Sequence, residues 1–257
     1  MLLTTNYTVP KPGGNTNLED LINDLSIFFA EKSITFVDVG SYIGEVFLEI
    51  YKSKKIKIRE AHLYEPNPIS YKALNENIDS CKIPTLHAYN FAIGRIPGSM
   101  HFNADHSMTK AITLSHGKGQ ISNTFISEIA TLDDQVNSFT DRKINLLKID
   151  VEGTELDVLA GATKLLTDQC VDVIYIEVGF NKNGTQQTYF GDVDEFLQKI
   201  GYRVFRIYEQ VNEWAQDSPL LRRCNFAYMS KDFAKSNPLK IITKMQAMQE
   251  ELNQLRA

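Results

Sequence analysis

The feature that most constrains this chain is the segment at residues 36–44. There an apolar run leads to Gly40, and a second glycine, Gly44, precedes a helical stretch. A second apolar run ends at Glu65, roughly 20 residues further on, and a Pro-Asn-Pro turn follows it. Glycine lets backbone amides approach a ligand at a strand-to-helix turn, and an acid closing the next strand can accept hydrogen bonds from ribose hydroxyls. Together the two segments predict a site for a ligand that contains adenosine.

The spacing of the first turn distinguishes between adenosine ligands. The residues follow the pattern Asp38-x-Gly40-x-x-x-Gly44, whereas dinucleotide sites use G-x-G-x-x-G. A single glycine in the tight turn leaves less open backbone than a pyrophosphate needs. The pattern therefore favours S-adenosylmethionine, which carries no phosphate. For the glycine pattern alone, a chance turn after a strand is the competing interpretation, and Glu65 at the expected distance weakens it.

Short apolar runs alternate with helical patterns through the middle of the chain, and three of these runs end on an acid: Glu65, Asp150 and Glu177. The alternation predicts an α/β fold with a doubly wound, mostly parallel sheet and helices on both faces. Ligands of such sheets bind beyond the carboxyl ends of the strands, so the three acids should share one crevice with the glycine turn. A sulfonium, an ammonium and ribose hydroxyls would offset the cost of burying these acids.

The apolar periodicity predicts the bounds of individual elements. We expect one helix at residues 17–31, a third strand at 85–93 and one amphipathic helix at 155–166. Residues 96–131 alternate between apolar and polar and are broken by turn residues, which predicts a β-hairpin insertion in place of a plain crossover. A further short helix is expected at residues 132–139.

The chain divides into three predicted parts, a flexible leader at residues 1–16, a main domain at 17–235 and a C-terminal amphipathic helix at 236–257. The apolar residues of the last part step by four and three positions, as in an a/d seam. This seam is too short to hold a coiled coil alone, so it either docks onto its own domain or forms a homodimer contact. The seam residues are Ile241, Met245, Met248, Leu252 and Leu255.

Composition and charge argue against several classes of protein. The net charge is −5, and the one dense basic run, residues 52–59, is interpreted as a solvated loop and helix end rather than a nucleic-acid contact. No apolar run reaches a membrane-spanning length, and the N-terminus lacks the features of a signal peptide. The three cysteines, Cys81, Cys170 and Cys224, are far apart and odd in number, which predicts reduced thiols in a cytoplasmic protein.

Four side chains are candidates for catalysis. Lys148 and Asp150 are two residues apart on one predicted strand, so they share a side and could act together on a substrate hydroxyl. The alternative is a structural ion pair between them. Glu177 closes the next strand and could act as a base, while His106, in the insertion, could fold over the crevice. Asp150 and Glu177 could also hold a divalent cation, but no third ligand is identifiable and a metal is not expected.

Four segments resemble the FkbM family of S-adenosylmethionine-dependent methyltransferases, and they occur in that family's order. They lie at residues 37–44, 64–68, 90–94 and 147–155, and the resemblance extends over about residues 34–230. It implies a class I methyltransferase fold, Rossmann-like with a seven-stranded sheet, for the main domain. It also implies methyl transfer to a hydroxyl oxygen of sugars, polyketides or related secondary metabolites.

The resemblance also implies which part of the ligand each residue would contact. Asp38, Gly40 and Gly44 would line the methionine end, with Ser41 and Tyr42 in place of the family's usual Ala-Asn. Glu65 would hold the ribose, Asn90, Phe91 and Ala92 would border the adenine, and Asp150 and Glu152 would lie near the methyl group and the acceptor. Pro66 and Asn67, which follow Glu65, are also predicted to contact the donor.

From these observations we expect an O-methyltransferase that acts on a carbohydrate or on a glycosylated or other secondary-metabolite acceptor. The polar loop at residues 181–187 suits an acceptor rich in hydroxyls. Two alternatives stay open at this point. One keeps the donor and changes the acceptor to a nitrogen or to a phosphorylated small molecule. The other is a non-catalytic scaffold that binds an adenosine ligand.

Overall fold

The computed structural model describes residues 18–30, 32–105, 108–112, 124–184, 186–215, 218–236, 248 and 253. Outside the insertion and the last two strands, strands and helices alternate along the chain, as the apolar pattern predicts. The helices are α1 (Glu19–Phe28), α2 (Glu45–Ser53), α3 (Pro68–Ile78), α4 (Leu132–Gln135), α5 (Glu155–Ala160), α6 (Thr163–Thr167), α7 (Phe190–Lys199) and α8 (Lys231–Ser236). The strands are β1 (Ser33–Val39), β2 (Lys57–Tyr64), β3 (Thr85–Tyr89), β4 (Ala92–Ile93), β5 (Gly98–Asp105), β6 (Met108–Ile112), β7 (Thr124–Ala130), β8 (Ile144–Ile149), β9 (Val171–Gly179), β10 (Tyr202–Asn212) and β11 (Leu221–Ser230).

The main sheet has seven strands in the order β3-β2-β1-β8-β9-β11-β10. Neighbouring strands are parallel except at β11, which runs antiparallel to both β9 and β10. The chain winds outward from β1 in one direction and from β8 in the other, which confirms the doubly wound, mostly parallel α/β sheet. Such a sheet has its binding crevice where the direction of winding reverses, which here is beyond the carboxyl ends of β1 and β8.

Buried apolar residues cover both faces of the main sheet. On one face α1, α2 and α3 pack through residues such as Leu25, Phe47 and Leu74. On the other face α5 and α6 pack through residues such as Leu159 and Leu165. Strands β8 and β9 are buried along their whole length, which explains why their sequences are continuous apolar runs. Burial on both sides therefore fixes the central strands whose ends form the crevice.

The predicted insertion forms a second sheet of four strands in the order β4-β7-β5-β6. Strand β5 pairs antiparallel with β6 and with β7, which confirms the expected hairpin strands, while β4 runs parallel to β7. The expectation of a single third strand at residues 85–93 is wrong. The side chain of Asn90 donates to the backbone oxygens of Glu65 and Pro66, and the chain leaves the main sheet there to join the second one.

The expected helix at residues 155–166 is divided into α5 and α6. The break falls next to Gly161, where a Cβ would lie 1.9 Å from the backbone oxygen of Gly94. The Gly161 oxygen also accepts a hydrogen bond from the backbone of Asp133. Close approach of these two chain segments bends the helix. The expected helix at 132–139 is likewise shorter, because α4 gives way to a 3-10 turn at Val136–Ser138.

Several predicted features lie wholly or mostly outside the described residues. They are the leader at 1–16, His106, and the helix at 236–257 with its proposed homodimer seam, of which only residues 236, 248 and 253 are described. The ends of the first expected helix, residues 17 and 31, also fall outside, and α1 occupies the interval between them. Within the described part of the chain, no helix is both long enough and apolar enough to cross a membrane.

Candidate active site

A pocket of about 730 Å³ opens at the carboxyl ends of the central strands, where the sheet reverses. Its walls come from the turns after β1, β2 and β8, the end of β9, the β10–β11 hairpin and the second sheet. Glu65 and Asp150 directly follow β2 and β8, Glu177 lies two residues before the end of β9, and all three acids border this pocket. A cleft of this volume is in the range that holds a cofactor-sized ligand.

The turn after β1 depends on glycine at one position. Gly40 has a φ of +79°, and a Cβ there would lie 1.8 Å from the backbone oxygen of Asp150. Glycine therefore lets the turns after β1 and β8 touch through their backbones. Tyr42 also has a left-handed φ, of 50°, and the Ser41 hydroxyl donates to the Asp38 backbone oxygen at 2.9 Å. The turn borders the pocket through Gly40, Ser41 and Tyr42.

Glu65 joins the turn after β1 to the turn after β2. Its Oε2 accepts from the backbone N–H of Tyr42 at 2.8 Å, and its Oε1 accepts from that of Asn67 at 2.9 Å. The side chain is buried, and burial raises the pKa of Glu65 to about 7, against the lowering effect of these two hydrogen bonds. Each carboxylate oxygen retains a lone pair beyond the one it uses. Glu65 can therefore hold the turn and still accept hydrogen bonds from a ligand.

Three predicted ligand contacts, Asn67, Asn90 and Phe91, do not border the pocket and instead contact residues around the turn after β2. The Asn67 side chain caps α3 by accepting from the backbone N–H of Ile69 at 2.9 Å. The Asn90 amide donates to the backbone oxygens of Glu65 and Pro66 at 2.9 and 3.1 Å. Phe91 packs against aromatic neighbours, with its ring centre 5.6 Å from that of Tyr64. Their contacts in the structure are thus with the protein itself.

Lys148 and Asp38 form a buried ion pair between β8 and β1. The two residues are direct partners in the parallel pairing, and the Lys148 Nζ lies 3.2 Å from Asp38 Oδ1. The ammonium also donates to the Gly40 backbone oxygen at 2.6 Å and lies 3.6 Å from Asp150 Oδ2. Burial opposes its charge, but Asp38 and Asp150 together raise the pKa of Lys148 above its ordinary value. Lys148 is therefore a fixed cation that pins the glycine turn, and Asp38 lies behind the wall with its side chain fully buried.

Glu177 does not end its strand as predicted, because β9 continues to Gly179; it is ion-paired with Arg223 of β11. Its side chain is buried at the wall of the pocket, and burial raises the pKa of Glu177 to about 8. The charge of Asp150 adds to this rise, whereas Arg223 opposes it. Glu177 is thus a group whose protonation state can change near neutral pH.

The acid-rich segment after β8 contains one acid that is structural. The Glu155 carboxylate accepts from the backbone N–H groups of Val151 and Gly153 at 3.2 and 3.1 Å, and from the Thr188 hydroxyl. These bonds fix the turn in which Glu152 has a left-handed φ of 55°. The turn brings Glu152 to the border of the pocket beside Asp150.

The second sheet and the turn between β4 and β5 provide an apolar wall. Ile96, Met100, Phe102 and Ile129 all border the pocket. Ile96 is 70% exposed and Met100 is 38% exposed, so this wall has apolar surface available to a ligand. Covering such surface would exclude water from the neighbouring polar groups.

Sequence reasoning identified none of the pocket residues in the β10–β11 hairpin. The two strands carry no glycine-spaced motif, and their pairing contains register shifts that a period of two does not reveal. A usable signal is the Arg-Arg pair at the start of an apolar strand, preceded by a tryptophan in the connecting loop. The hairpin residues at the pocket are Glu209, Trp214, Arg222, Arg223 and Asn225, and Tyr175 of β9 lies there too.

The structure divides the predicted contacts into those that border the pocket and those that do not. Eight predicted ligand contacts border it: Gly40, Ser41, Tyr42, Glu65, Pro66, Ala92, Asp150 and Glu152. Five do not: Asp38, Gly44, Asn67, Asn90 and Phe91. Of the predicted catalytic residues, Lys148, Asp150 and Glu177 border the pocket, and His106 is outside the described residues. Across the described ranges, no group of three or more His, Cys, Asp or Glu side chains is arranged to hold a metal ion.

Comparison with solved structures defines the class of this fold. The crystal structure of methyltransferase FkbM from Methylobacillus flagellatus superposes with a TM-score of 0.51 at 17% sequence identity, covering 77% of this chain and 43% of that one. Together with the strand order and the crevice at the reversal, this defines the class I methyltransferase fold.

Sequence comparison then gives the family. Residues 38–204 match the methyltransferase FkbM domain, which is well over half of the chain. The hexuronic acid methyltransferase AglP of Haloferax volcanii is 30% identical over 154 residues, 58% of this chain and 57% of AglP. Methyltransferase 1 of Beauveria bassiana is 24% identical over 186 residues, 65% of this chain and 72% of that protein. The chain belongs to the FkbM methyltransferase domain family, and it matches little more than half the length of AglP.

Proposed function

We propose that this chain is an S-adenosylmethionine-dependent O-methyltransferase whose acceptor is a hydroxyl of a carbohydrate or of a glycosylated metabolite. The observation that carries the proposal is Glu65. Its buried carboxylate borders the pocket beside the glycine turn and keeps a lone pair on each oxygen for ligand hydroxyls. Membership of the FkbM family supports methyl transfer as the reaction class.

The lining of the pocket suits a cationic donor. Acidic side chains outnumber basic ones along its walls. Burial raises the pKa values of Glu65 and Glu177, which means that burial disfavours their ionised forms. A ligand with an ammonium and a sulfonium would relieve that penalty, whereas a diphosphate would increase it. Charge therefore favours S-adenosylmethionine over a dinucleotide.

The residues at the pocket take on distinct roles in this proposal. Glu65 accepts hydrogen bonds from the ribose hydroxyls, Ala92 borders the adenine, and the backbone at Gly40 follows the amino-acid end of the donor. Asp150 and Glu152 lie between donor and acceptor. Bound S-adenosylmethionine supplies a methyl group attached to a sulfonium. Because the sulfur leaves as a neutral thioether, the protein need not protonate the leaving group. The protein has to exclude water, align the acceptor and remove a hydroxyl proton.

The acceptor class is supported by the mouth of the pocket. Trp214 is 75% exposed there, and the Arg222 guanidinium lies 4.0 Å from the centre of the indole ring. An exposed indole held in place by a stacked guanidinium offers a flat apolar surface to one face of a sugar ring. A carbohydrate acceptor is further supported by AglP, which is named as a hexuronic acid methyltransferase.

The test is a labelled-methyl assay with S-adenosylmethionine and a panel of hexosides, hexuronic acids and nucleotide sugars. The expected product is a methyl ether on a sugar hydroxyl, which survives mild alkali. A product that alkali hydrolyses would be a methyl ester and would replace the hydroxyl acceptor by a carboxylate. Donor binding without transfer to any member of the panel would contradict the carbohydrate assignment and favour a binding scaffold.

A further inference from the structure

Glu209 reaches the pocket because β10 carries a bulge. Tyr208 pairs with Asn225 of β11, and pairing resumes only at Val211, so Glu209 falls in a register shift. In a regular strand its side chain would point to the face opposite that of Tyr208. Instead, its carboxylate contacts Asn225 and Tyr175, which border the pocket. Bulges next to active sites often re-aim a single side chain in this way.

This placement is unfavourable to the folded state in two respects. Glu209 has a φ of 50°, a left-handed conformation that is strained for a glutamate. In addition, its Oε1 is buried and has no hydrogen-bond partner within the described part of the chain. An acceptor removed from water and left without a donor is itself destabilising. A residue that breaks two local rules at once is expected where a function requires it.

The two neighbours of Glu209 hold one oxygen and leave the other uncommitted. The Tyr175 hydroxyl donates to Oε2 at 3.0 Å, and the Asn225 amide donates to the same oxygen at 2.6 Å. The carboxylate is therefore fixed in orientation by two donors. Its Oε1 retains the full capacity to accept a hydrogen bond or a proton.

Glu209 differs in its ion pairing from the two acids that the strand pattern predicts for this end of the pocket. Glu177 is ion-paired with Arg223, and Asp150 lies 3.6 Å from the Lys148 ammonium. Among the described residues, no basic side chain forms an ion pair with Glu209. Burial raises the pKa of Glu209 above its ordinary value, which makes it a stronger base than a solvated glutamate.

We propose that Glu209 is the general base for the acceptor hydroxyl, an assignment that rests on the proposed function. As the O–H bond of the acceptor breaks, its proton passes to Oε1 of Glu209. The electron pair of the hydroxyl oxygen forms a bond to the methyl carbon, while the C–S bond breaks and leaves its pair on sulfur. The sulfonium charge and the carboxylate charge disappear together, giving a methyl ether, a neutral thioether and a protonated Glu209.

The first experiment is Glu209→Gln, which keeps the shape of the side chain and removes its basicity. The acceptor is whichever panel sugar the wild-type protein methylates on a hydroxyl. We expect kcat to fall by about 100- to 10,000-fold, with the affinity for S-adenosylmethionine measured by calorimetry unchanged within about twofold. The matched control is Glu213→Gln, the same charge change in the same hairpin at a residue that does not border the pocket; it should retain wild-type kcat.

The pH profile separates a base from a positioning residue. In the wild-type protein, kcat should rise with pH as Glu209 loses its proton. The charged or titratable groups that act on it are Tyr175 from β9, Arg223 from β11 and Asp150 after β8. In Glu209→Gln the residual kcat should no longer show this rise with pH. If the rise of kcat with pH is unchanged in the variant, another group, such as Glu177, accepts the proton, and the proposal is overturned.

Thermal stability tests the assignment without an activity assay. Gln keeps an oxygen that can accept from Tyr175 and Asn225 and brings no carboxylate, so Glu209→Gln should have a melting temperature equal to or above that of the wild type. A melting temperature well below the wild-type value would mark Glu209 as a structural residue and contradict the proposal. If the wild type transfers a methyl group and Glu209→Gln is fully active, the assignment of Glu209 as the base is refuted and the proposed function is not. Absence of transfer by the wild type to every sugar would refute the proposed function and the base with it.

Discussion

The two sides of the pocket are built differently. On the side that we propose for the donor, the turns after β1 and β2, the buried Glu65 carboxylate has a partner for each oxygen and Lys148 is bound to three surrounding oxygens. On the side that we propose for the acceptor, the β10–β11 hairpin, one buried oxygen of Glu209 has no hydrogen-bond partner within the described residues, and Trp214 is largely exposed. The acids of the donor side are therefore held by contacts within the protein. The acceptor site holds polar and aromatic groups whose contacts a substrate would complete.

The largest effect is expected from Lys148→Met, which removes the buried ion pair on the donor side. The change removes the cation that neutralises Asp38 inside the protein and leaves a buried, unpaired carboxylate. We expect the free energy of unfolding to fall by about 3–5 kcal/mol, measured by urea denaturation. Lys199→Met is the control, because Lys199 and Glu195 form an exposed pair whose loss should leave the urea midpoint nearly unchanged. Equal losses in the two variants would mean that the donor side is not held together by its buried pair.

The next effect is the loss of donor affinity in Glu65→Ala. Each hydrogen bond between the ionised carboxylate and a ribose hydroxyl should contribute about 1.5–3 kcal/mol. Calorimetry should therefore show that S-adenosylmethionine binds about 10- to 100-fold more weakly per bond lost. Glu128→Ala, a change of the same type in β7 away from the pocket, serves as the control. An unchanged affinity in Glu65→Ala would remove Glu65 from the ribose site.

The pH dependence of donor binding is expected to be smaller and to have a definite sign. Burial raises the pKa of Glu65 to about 7, so at lower pH a proton has to leave before the carboxylate can accept ribose hydroxyls. Affinity should fall as pH drops below about 7, by at most about tenfold per pH unit. Without donor, the same shift contributes stability that is fully present below the unfolded pKa of 4.5 and is lost as pH rises through about 7. Calorimetry in buffers of different ionisation enthalpy should detect proton release, and a flat profile would contradict ionised Glu65 as the ligand.

The smallest effect is expected from Trp214→Ala on the acceptor side. Loss of the exposed indole should raise KM for a carbohydrate acceptor by about 2- to 10-fold, equivalent to roughly 0.5–1.5 kcal/mol of stacking. The donor affinity and the melting temperature should stay close to wild type, because the side chain is 75% exposed. Leu220→Ala is the control, since Leu220 is 67% exposed on the same hairpin but does not border the pocket. If the two variants have the same KM, Trp214 does not contact the acceptor.

The position of Gly40 and Glu65 at the pocket could be predicted from the sequence because the signals are local. Gly40 and Glu65 each close a strand, and the strand pattern alone brings such residues to one edge of the sheet. The inward direction of Asp38 was not predictable in the same way. It depends on the pairing of β1 with β8, which places Lys148 directly opposite, far away in the sequence. Local spacing identifies the turn, and long-range pairing decides which of its side chains face the ligand.

The acceptor side could not be predicted because its geometry departs from regular periodicity. A period of two would direct Glu209 away from Tyr175, and only the bulge in the β10–β11 pairing brings the two together. The division of the expected helix at residues 155–166 has a similar origin. It follows from the close approach of Gly161 to the backbone of Gly94, a contact between distant segments that periodicity does not report.

The most direct test of the donor site is calorimetric titration of the wild-type protein at pH 8 with S-adenosylmethionine and, in parallel, with NAD. We predict one-site binding of S-adenosylmethionine that Glu65→Ala weakens, and no measurable binding of NAD. Binding of NAD in place of S-adenosylmethionine, or a pocket that binds neither ligand, would contradict the identification of this crevice as a methyl-donor site.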